Sequence, residues 1–309
     1  MQIEENVQLA PYTTYKIGGP ARYFVACKTA QDISEAISWA KENNQSYFVL
    51  GGGSNILVSD EGYNGLVISI QNTGYEVNGT TLEAGAGASM HVLVAETTDN
   101  SLEGLDWAGG LPGQLGGAIR GNAGAFGGEM KDVITEVHAV SEDGKVKTFT
   151  ADECEFEYRT SFFKKNPEWI IISAKMDLKK GDREKLVGRV AELVEWRRTK
   201  HPMQYGNSGS IFKRYSVGQI PVSIFEKYPH ITRAMRDGQI ASAFFIDEAG
   251  LKLKKIGGAQ VSDKHPNFII NESGTARAED VIMLISTVKS SVLHQFGILL
   301  EEEIKFLQG

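Results

Sequence analysis

The first seventy residues show the pattern of apolar and polar positions expected for a β-α-β unit. Segment 29–43 has an apolar residue at every third or fourth position, and Thr29 with Asp32 resembles a capping pair, so a helix is predicted there. Short apolar runs typical of buried strands follow at 47–50, 56–58 and 65–70. This order predicts a small mixed sheet.

From about residue 73 the pattern changes to strands interrupted by one helix. Asn78-Gly79 lies between two short extended runs and signals a hairpin, and Ser89 is a suitable N-cap for a helix over 89–99. Strands are predicted at about 133–140, 145–149 and 169–174. The middle of the chain is therefore expected to be α+β.

The last third begins with a helix predicted over 184–200, which stops before Pro202. We place a domain boundary just before it. Further elements are expected at 256–261 (strand), 267–271 (strand) and 278–295 (helix). If 300–307 is a strand, Ile304 and Phe306 share one face, and Glu303 and Lys305 share the other.

Composition narrows the class of protein. The 309 residues are 41% hydrophobic and 23% charged, which is typical of a soluble globular protein of two or three domains. The net charge of -7 argues against bulk binding to nucleic acid or anionic membranes. The acidic N-terminus does not resemble a signal peptide, and no apolar run reaches the ~20 residues of a spanning helix. Two cysteines without a C-x-x-C motif predict a reduced, cytoplasmic protein without a disulfide or a metal site.

Glycine is the unusual feature of the composition, with 34 residues against 8 prolines. One run, Gly51-Gly52-Gly53-Ser54-Asn55, follows a predicted buried strand, and its backbone N–H groups can form an anion nest suited to a pyrophosphate. A second run, 109–128, can lie against a large planar cofactor; for either run alone, an irregular loop is the alternative. Neither G-x-G-x-x-G nor a P-loop is present, which leaves a dinucleotide site of non-Rossmann type.

Ser210, in the stretch NSGSIFK, poses a separate question. No G-x-S-x-G elbow surrounds it, so acyl transfer is not favoured. A serine after glycine is commonly a turn residue, and chemistry other than acyl transfer is the alternative.

These motifs together resemble the UDP-N-acetylmuramate dehydrogenase family, also called UDP-N-acetylenolpyruvoylglucosamine reductase. The resemblance covers nearly the whole chain and is carried, in order, by TTYKIGGPA (13–21), LGGGSNILV (50–58), GLPGQLGGAIRGNAGAFGGE (110–129), EYRTSFF (157–163), GSIFKR (209–214), IGGAQVSDKHPNFIIN (256–271) and EIKFL (303–307).

The resemblance implies an α+β chain with an FAD-binding fold of the vanillyl-alcohol-oxidase type in two subdomains, plus a third α+β substrate-binding domain. We expect the FAD-binding domain at 1–182 (subdomains about 1–72 and 73–182), the substrate-binding domain at 183–297, and a C-terminal strand at 298–309 that contributes to the active site. Segment 215–245 is longer than in the compact members of the family, and a helical insertion near the substrate is expected there.

The implied reaction uses non-covalently bound FAD and NADPH to reduce an enolpyruvyl ether of a UDP-sugar in the synthesis of peptidoglycan precursors. Hydride addition leaves negative charge on the carbon beside a carboxylate, so that carbon needs a proton and the carboxyl group needs stabilising donors. The family's motifs assign Ser210 as the proton donor, with Arg159 and Glu303 stabilising the charge. A surface salt bridge and a solvated acidic patch are their respective alternatives. For Glu303 to help a dianion it must be protonated, which requires a raised pKa.

The cofactor contacts expected in the two glycine runs are Gly51, Gly52, Gly53, Ser54, Asn55, Gly110, Pro112, Gly113, Gly117, Asn122, Ala123 and Gly124. The basic stretch Arg197, Arg198, Lys200 and His201 is a candidate for the UDP diphosphate; the alternative is that these cations are present because a helix C-terminus favours positive charge. His265 has no assigned role. A monomer is expected. An FAD oxidase of the same fold and a non-catalytic flavin-binding paralogue are the competing readings. The joint presence of Ser210, Arg159 and Glu303 favours the reductase.

Overall fold

A computed structural model describes residues 1–309 and contains eight α-helices and twenty-one strands. The helices are α1 (Ala30–Glu42), α2 (Met90–Asp99), α3 (Leu115–Arg120), α4 (Phe162–Lys165), α5 (Arg183–Lys200), α6 (Val222–Lys227), α7 (Ser242–Glu248) and α8 (Ala278–Phe296). The strands are β1 (Glu4–Gln8), β2 (Pro20–Cys27), β3 (Tyr47–Leu50), β4 (Ile56–Val58), β5 (Tyr63–Ile70), β6 (Tyr75–Asn78), β7 (Thr81–Gly85), β8 (Leu102–Glu103), β9 (Gly124–Ala125), β10 (Gly128–Glu129), β11 (Ile134–Ser141), β12 (Val146–Thr150), β13 (Trp169–Asp177), β14 (Lys179–Lys180), β15 (Tyr215–Ser216), β16 (Met235–Arg236), β17 (Gln239–Ile240), β18 (Lys255–Ile256), β19 (Ala259–Val261), β20 (Ile269–Asn271) and β21 (Lys305–Leu307).

The chain divides into two compact units that are not continuous in sequence. The first unit consists of Met1–Val7, Pro20–Gly52 and Tyr63–Arg197. The second consists of Gln8–Gly19, Gly53–Gly62 and Arg198–Gly309. None of the helices combines the length and apolar character that crossing a membrane requires.

The first unit contains the predicted β-α-β element. Strands β2 and β3 both run parallel to β5 in a four-stranded sheet of order β1-β2-β5-β3. Helix α1 begins with the predicted capping box, in which Thr29 and Asp32 each accept a backbone N–H at the helix start. Its apolar stripe is fully buried, as the spacing predicts.

A five-stranded antiparallel sheet of order β12-β11-β13-β7-β6 completes the first unit. The predicted hairpin is confirmed: β6 pairs with β7, and Gly79 has the positive φ (65°) that such a tight turn requires. Helix α2 follows Ser89, but the Ser89 side chain makes no capping hydrogen bond. Helix α3, from within the second glycine run, packs against β7 and β13.

The second unit is organised around helix α8, whose buried face packs on the antiparallel sheet β18-β19-β20. Strand β21 pairs in parallel with β4, so the C-terminus is held by residues from near the start of the chain. The Tyr15 hydroxyl is fully buried and donates to the Ile269 carbonyl at 2.7 Å. The core of this unit therefore depends on both of its N-terminal segments.

Three element predictions need correction in detail. The terminal strand starts at Lys305 because residues 301–303 pair with 211–213 instead of continuing alongside β4. The strand predicted at 256–261 is split at Gly257 and Gly258, where an added side chain would collide with neighbouring atoms. Segment 215–245 is not simply helical, since it forms the small antiparallel sheet β15-β17-β16 together with α6 and two 3-10 turns.

Candidate active site

In the first unit, the two predicted glycine runs touch each other through their backbones. A side chain at Gly52 would place its Cβ 2.9 Å from the Gly113 Cα, and 3.2 Å from the Gln114 nitrogen. Such contacts exclude any residue with a Cβ, which explains why the sequence has glycine here. The backbone N–H of Gly52 donates to no protein acceptor.

The second half of the first glycine run belongs to the second unit. Gly53 has φ +61°, and an added Cβ would lie 2.0 Å from the Tyr12 carbonyl oxygen. The N–H groups of Gly53 and Ser54 also lack protein acceptors, while the Gly53 carbonyl is held by the Thr14 N–H at 3.0 Å. Asn55 Nδ2 donates to the Glu303 carbonyl at 3.1 Å.

These features fit FAD. In the second unit, the backbone N–H groups of Gly53 and Ser54 have no acceptors and are suited to a phosphate. In the second run, a Cβ added at Gly117 would meet no atom within 4 Å, so the backbone there faces open space. The buried Oε1 of Gln114 accepts no hydrogen bond, which leaves an acceptor available for a ligand hydroxyl or N–H. Gln114 was missed by sequence reasoning, and its position as a polar side chain inside the second glycine run is the signal that could have found it.

The motif EYRTSFF fixes the end of the second glycine run. Arg159 Nη2 donates to the Gly124 carbonyl at 2.8 Å, and its Nη1 lies 3.5 Å from the Asn122 carbonyl oxygen. The Ser161 hydroxyl donates to the Arg120 carbonyl at 2.8 Å. Arg159 itself has φ +55°, a left-handed conformation that costs a non-glycine residue about 1–2 kcal/mol. Strain of this kind concentrates at functional sites.

The side chain of Asn122 bonds other protein groups and is not available for a cofactor. It is fully buried with φ +39°. Its Nδ2 donates to Glu129 Oε2 at 2.5 Å and to the Glu157 carbonyl at 3.1 Å, and its Oδ1 accepts from the Lys131 N–H at 3.1 Å. The side chain is therefore engaged within the protein, and a cofactor contact at Asn122 would have to use the backbone.

In the second unit, Ser210 lies in a tight turn. Gly209 has φ +78°, and its N–H donates to Asn207 Oδ1 at 2.9 Å. The Asn207 carbonyl in turn accepts from the Thr14 hydroxyl at 2.7 Å. The Ser210 side chain is half-buried and makes no hydrogen bond within the protein. Its hydroxyl is consequently available to a ligand.

Ser210 and Glu303 are brought together by backbone pairing. The Glu303 N–H donates to the carbonyl of Ile211, the residue after Ser210, at 2.7 Å. Asn267 locks the same segment: its carbonyl accepts from the Ile211 N–H at 2.8 Å, its Oδ1 accepts from the Phe212 N–H at 3.0 Å, and its Nδ2 donates to the Phe212 carbonyl at 2.8 Å. Sequence reasoning missed Asn267, although it lies in the motif DKHPN. Arg159, the third predicted catalytic residue, lies in the first unit.

His265 supports the same region. Its ring centroid lies 4.8 Å from that of Phe268 and 5.2 Å from that of His201, and its Nδ1 accepts from the Asn267 N–H at 3.3 Å. Burial lowers the pKa of His265 to about 4, so the ring is neutral at pH 7. A neutral ring with this hydrogen bond acts as a structural support for Asn267.

The chain matches two protein-family models. One, described as FAD binding domain, matches residues 21–150; the other, described as UDP-N-acetylenolpyruvoylglucosamine reductase, C-terminal domain, matches residues 201–307.

Whole-chain relatives agree. The UDP-N-acetylenolpyruvoylglucosamine reductase of Clostridium botulinum (strain Alaska E43 / Type E3) is 38% identical over 99% of this chain and 93% of that protein. The reductase of Clostridioides difficile (strain 630) is 34% identical over 99% and 93%. The crystal structure of UDP-N-acetylenolpyruvylglucosamine reductase from Thermus caldophilus superimposes with a TM-score of 0.79 at 31% identity, covering 100% of both chains. These matches confirm the predicted family and fold: the chain belongs to the UDP-N-acetylenolpyruvoylglucosamine reductase family.

Proposed function

We propose that this protein reduces UDP-N-acetylglucosamine-enolpyruvate to UDP-N-acetylmuramate, with NADPH as the reductant and Ser210 as the proton donor. When bound, FAD supplies the hydride relay between NADPH and the enolpyruvyl group. The observation that supports Ser210 is its hydroxyl, which lacks any protein partner in a turn fixed by backbone hydrogen bonds on both sides.

Ser210 has the properties that protonation at carbon requires. The carbon next to the substrate carboxylate becomes a strong base once the hydride has been added, so a weakly acidic hydroxyl is a sufficient acid. The Oγ of Ser210 is not engaged with any other protein atom, and the Ile211 and Phe212 backbone behind it is held by Asn267 and Glu303. Ser210 can therefore transfer its proton from Oγ without first breaking a hydrogen bond within the protein.

Glu303 and Arg159 stabilise the charge that develops on the substrate. Glu303 is tied through its N–H to the Ile211 carbonyl and through its carbonyl to Asn55, so its side chain starts from a fixed backbone. In its protonated form it would donate a hydrogen bond to the enolate. The Arg159 guanidinium, oriented by the Gly124 carbonyl, provides planar donors suited to a carboxylate.

The test separates the two half-reactions by stopped-flow spectroscopy. In Ser210→Ala, NADPH should bleach the bound flavin at a near-normal rate, because that hydride transfer requires no proton from Ser210. Return of the flavin colour with the enolpyruvyl sugar should slow by about a hundred- to ten-thousandfold, the range of general acid catalysis. Ser210→Cys should recover part of this rate, since a thiol also donates a proton.

Ser208→Ala is the matched control. Its hydroxyl is buried in the same turn without a hydrogen-bond partner, so its removal leaves no other group unsatisfied. Both half-reactions should stay near wild type in this variant. Loss of flavin reduction in Ser210→Ala, or full-rate reoxidation, would show that Ser210 is a positional residue. Rapid recolouring by oxygen without the sugar would instead favour an oxidase.

A monomeric state and a cytoplasmic location stay predictions from the sequence. Light scattering coupled to size exclusion would test the first, and cell fractionation the second.

A further inference from the structure

Arg197 is a buried cation attached to the second glycine run. It lies in the last turn of α5 and is 8% exposed. Its Nε donates to the Gly109 carbonyl at 2.8 Å. Gly110, with φ +71°, lets the backbone pass so close that an added Cβ would lie 3.0 Å from Arg197 Cδ. The arginine is therefore built into the loop.

An aromatic pair fixes the plane of this guanidinium. Its central carbon lies 5.1 Å from the ring centroid of Phe126, within the range of a cation–π contact. The Phe126 ring is in turn packed edge-on against Trp196, with centroids 5.1 Å apart and an interplanar angle of 87°. The hydrogen bond to Gly109 and the contact with Phe126 together constrain the orientation of the guanidinium.

The other end of the guanidinium has no counterpart in the protein. Nη2 is buried and has no hydrogen-bond partner, and no carboxylate pairs with Arg197. Two other arginines of α5 do find carboxylates: Arg183 pairs with Asp99 at 2.6 Å and Arg189 with Glu192 at 3.4 Å. Arg183 and Arg189 are on the surface, where an ion pair contributes little to stability. Arg197 is buried and has no carboxylate partner.

The buried guanidinium of Arg197 requires a negatively charged group to balance its charge. Arginine stays protonated in proteins, so Arg197 cannot relieve its burial by losing the proton, although burial lowers its pKa. Uncompensated charge in a protein interior is strongly unfavourable. In a chain of net charge -7 the absence of a carboxylate partner indicates that a ligand supplies the negative charge.

The loop identifies which ligand. Gly109, Gly110 and Phe126 all lie within residues 21–150, which match the FAD-binding domain. FAD carries a diphosphate, and its ring carries negative charge at N1 when reduced. We propose that the Nη2 edge of Arg197 binds a negatively charged group of FAD, either the diphosphate or the reduced ring.

This inference rests on the binding of FAD but not on the role of Ser210. If the wild-type apoprotein takes up no FAD, the proposed function itself fails. If wild type binds FAD and the variants below bind it equally well, only the role of Arg197 fails.

The test compares Arg197→Met, which removes the charge at similar length, with Arg197→Lys, which keeps it, and with Arg189→Met as a control on the same helix. FAD affinity is measured by fluorescence titration of the apoprotein, and the midpoint potential of the bound flavin by dye equilibration. Arg197→Met should bind FAD at least tenfold more weakly or show a lower potential. Arg197→Lys should recover part of the loss, and Arg189→Met should match wild type.

Two competitors distinguish the sources of the anion. If Arg197 contacts the diphosphate, ADP should compete less well in Arg197→Met while riboflavin is unaffected. If Arg197 contacts the reduced ring, the protein binds reduced FAD more tightly than oxidised FAD through this contact. For each tenfold loss of that affinity ratio in Arg197→Met, the two-electron midpoint potential should fall by about 30 mV.

Two results would overturn the proposal. Unchanged FAD affinity and potential with a raised KM for the UDP-sugar would assign the anion to the substrate. Equal losses in Arg197→Met and Arg197→Lys would show that the bond to the Gly109 carbonyl matters and the charge does not.

Discussion

Ser210, Arg159 and Glu303 illustrate how single residues of this protein are positioned by backbone contacts. Glu303 is placed by the Ile211 carbonyl, and Arg159 by the Gly124 carbonyl. Backbone anchors of this kind tolerate few alternatives, because a carbonyl cannot be moved without moving its loop. Glu303 is held by its own N–H and carbonyl, so truncation of its side chain should change the fold little, whereas truncation of Arg159 also removes the hydrogen bond to the Gly124 carbonyl.

Arg159→Ala and Glu303→Ala should each slow flavin reoxidation by the enolpyruvyl sugar by about a hundredfold or more, the scale of losing one charge-stabilising donor. Flavin reduction by NADPH should be nearly unaffected, and rapid-mixing absorbance at the flavin band measures both steps. Glu301→Ala is the control, since Glu301 is an exposed acid whose side chain pairs with Lys213. Normal reoxidation in either test variant would remove that residue from the catalytic set.

The titration of a single side chain, His265, should make the stability of the protein depend on pH. Its pKa is about 4 in the folded protein, because burial disfavours the charged ring, against 6.5 when unfolded. Above pH 6.5 both states hold a neutral ring, so nothing changes. Between pH 6.5 and 4 only the unfolded state gains the proton, and the free energy of unfolding should fall by up to ~1.4 kcal/mol per pH unit.

Urea unfolding at pH 7.5, 6 and 5 checks this expectation. His265→Gln should flatten the pH dependence over that range, whereas replacement of the exposed His91 by glutamine should leave the wild-type slope. Parallel curves for wild type and His265→Gln would show that His265 does not titrate in this window.

The residues that sequence reasoning missed share a physical cause. Asn267 holds the backbone of Phe212 across 55 positions, and Gln114 lies where two glycine runs meet. Motifs and local periodicity report neighbours in sequence, and neither can identify a partner so distant. Ser210, in contrast, was assigned through the resemblance to the family, because the motif that carries it, GSIFKR, is continuous in sequence.

At the scale of elements, local patterns predicted what local forces determine. Helix α1 was predicted with its capping box, and the β6–β7 hairpin with its glycine, because each depends on residues a few positions apart. The start of β21 was wrong because pairing of 301–303 with 211–213 is a long-range contact. Elements set by neighbouring residues were therefore predictable, whereas long-range strand partners and the small sheet within 215–245 were not.

Glycines in different elements should respond in opposite directions to the same substitution. Gly188 lies in the exposed middle of α5, where an added Cβ meets no atom within 4 Å, so Gly188→Ala should stabilise the protein by about 0.5–1 kcal/mol. Gly52→Ala places its Cβ against the Gly113 backbone and should cost about 1–3 kcal/mol and weaken FAD binding. Urea unfolding of the apoproteins measures both, and equal effects of the two changes would refute the packing of the two runs.

On the scale of the whole molecule, the two units do not follow the order of the sequence. The sequence predicted boundaries at 182 and 297, whereas the second compact unit also takes in Gln8–Gly19 and Gly53–Gly62. These segments contribute Tyr15, Ile17 and Leu57 to its core. Domain boundaries predicted from the sequence could not include these segments in the second unit, because each segment is short and its composition does not differ from that of its neighbours. The division by function into cofactor and substrate domains stays a prediction.

The C-terminal fragment 198–309 should therefore not fold by itself, although it contains all of the residues matched by the C-terminal family model. Without the N-terminal segments, β21 loses its partner β4, and Ile269 loses the hydrogen bond from Tyr15. The first turn of α8 also loses Asp60, whose carboxylate accepts from the N–H groups of Ala278 and Glu279 at 2.9 and 3.2 Å. Loss of a helix cap alone costs about 1 kcal/mol, and removal of buried aromatic and aliphatic side chains costs several more, which approaches the whole stability of a small domain.

Circular dichroism of the fragment should show no cooperative urea transition. Co-expression with residues 1–197, which supply both segments, should restore a soluble, cooperatively unfolding complex. A cooperative urea transition of 198–309 alone would mean that the N-terminal segments pack on this unit but are not required for it to fold.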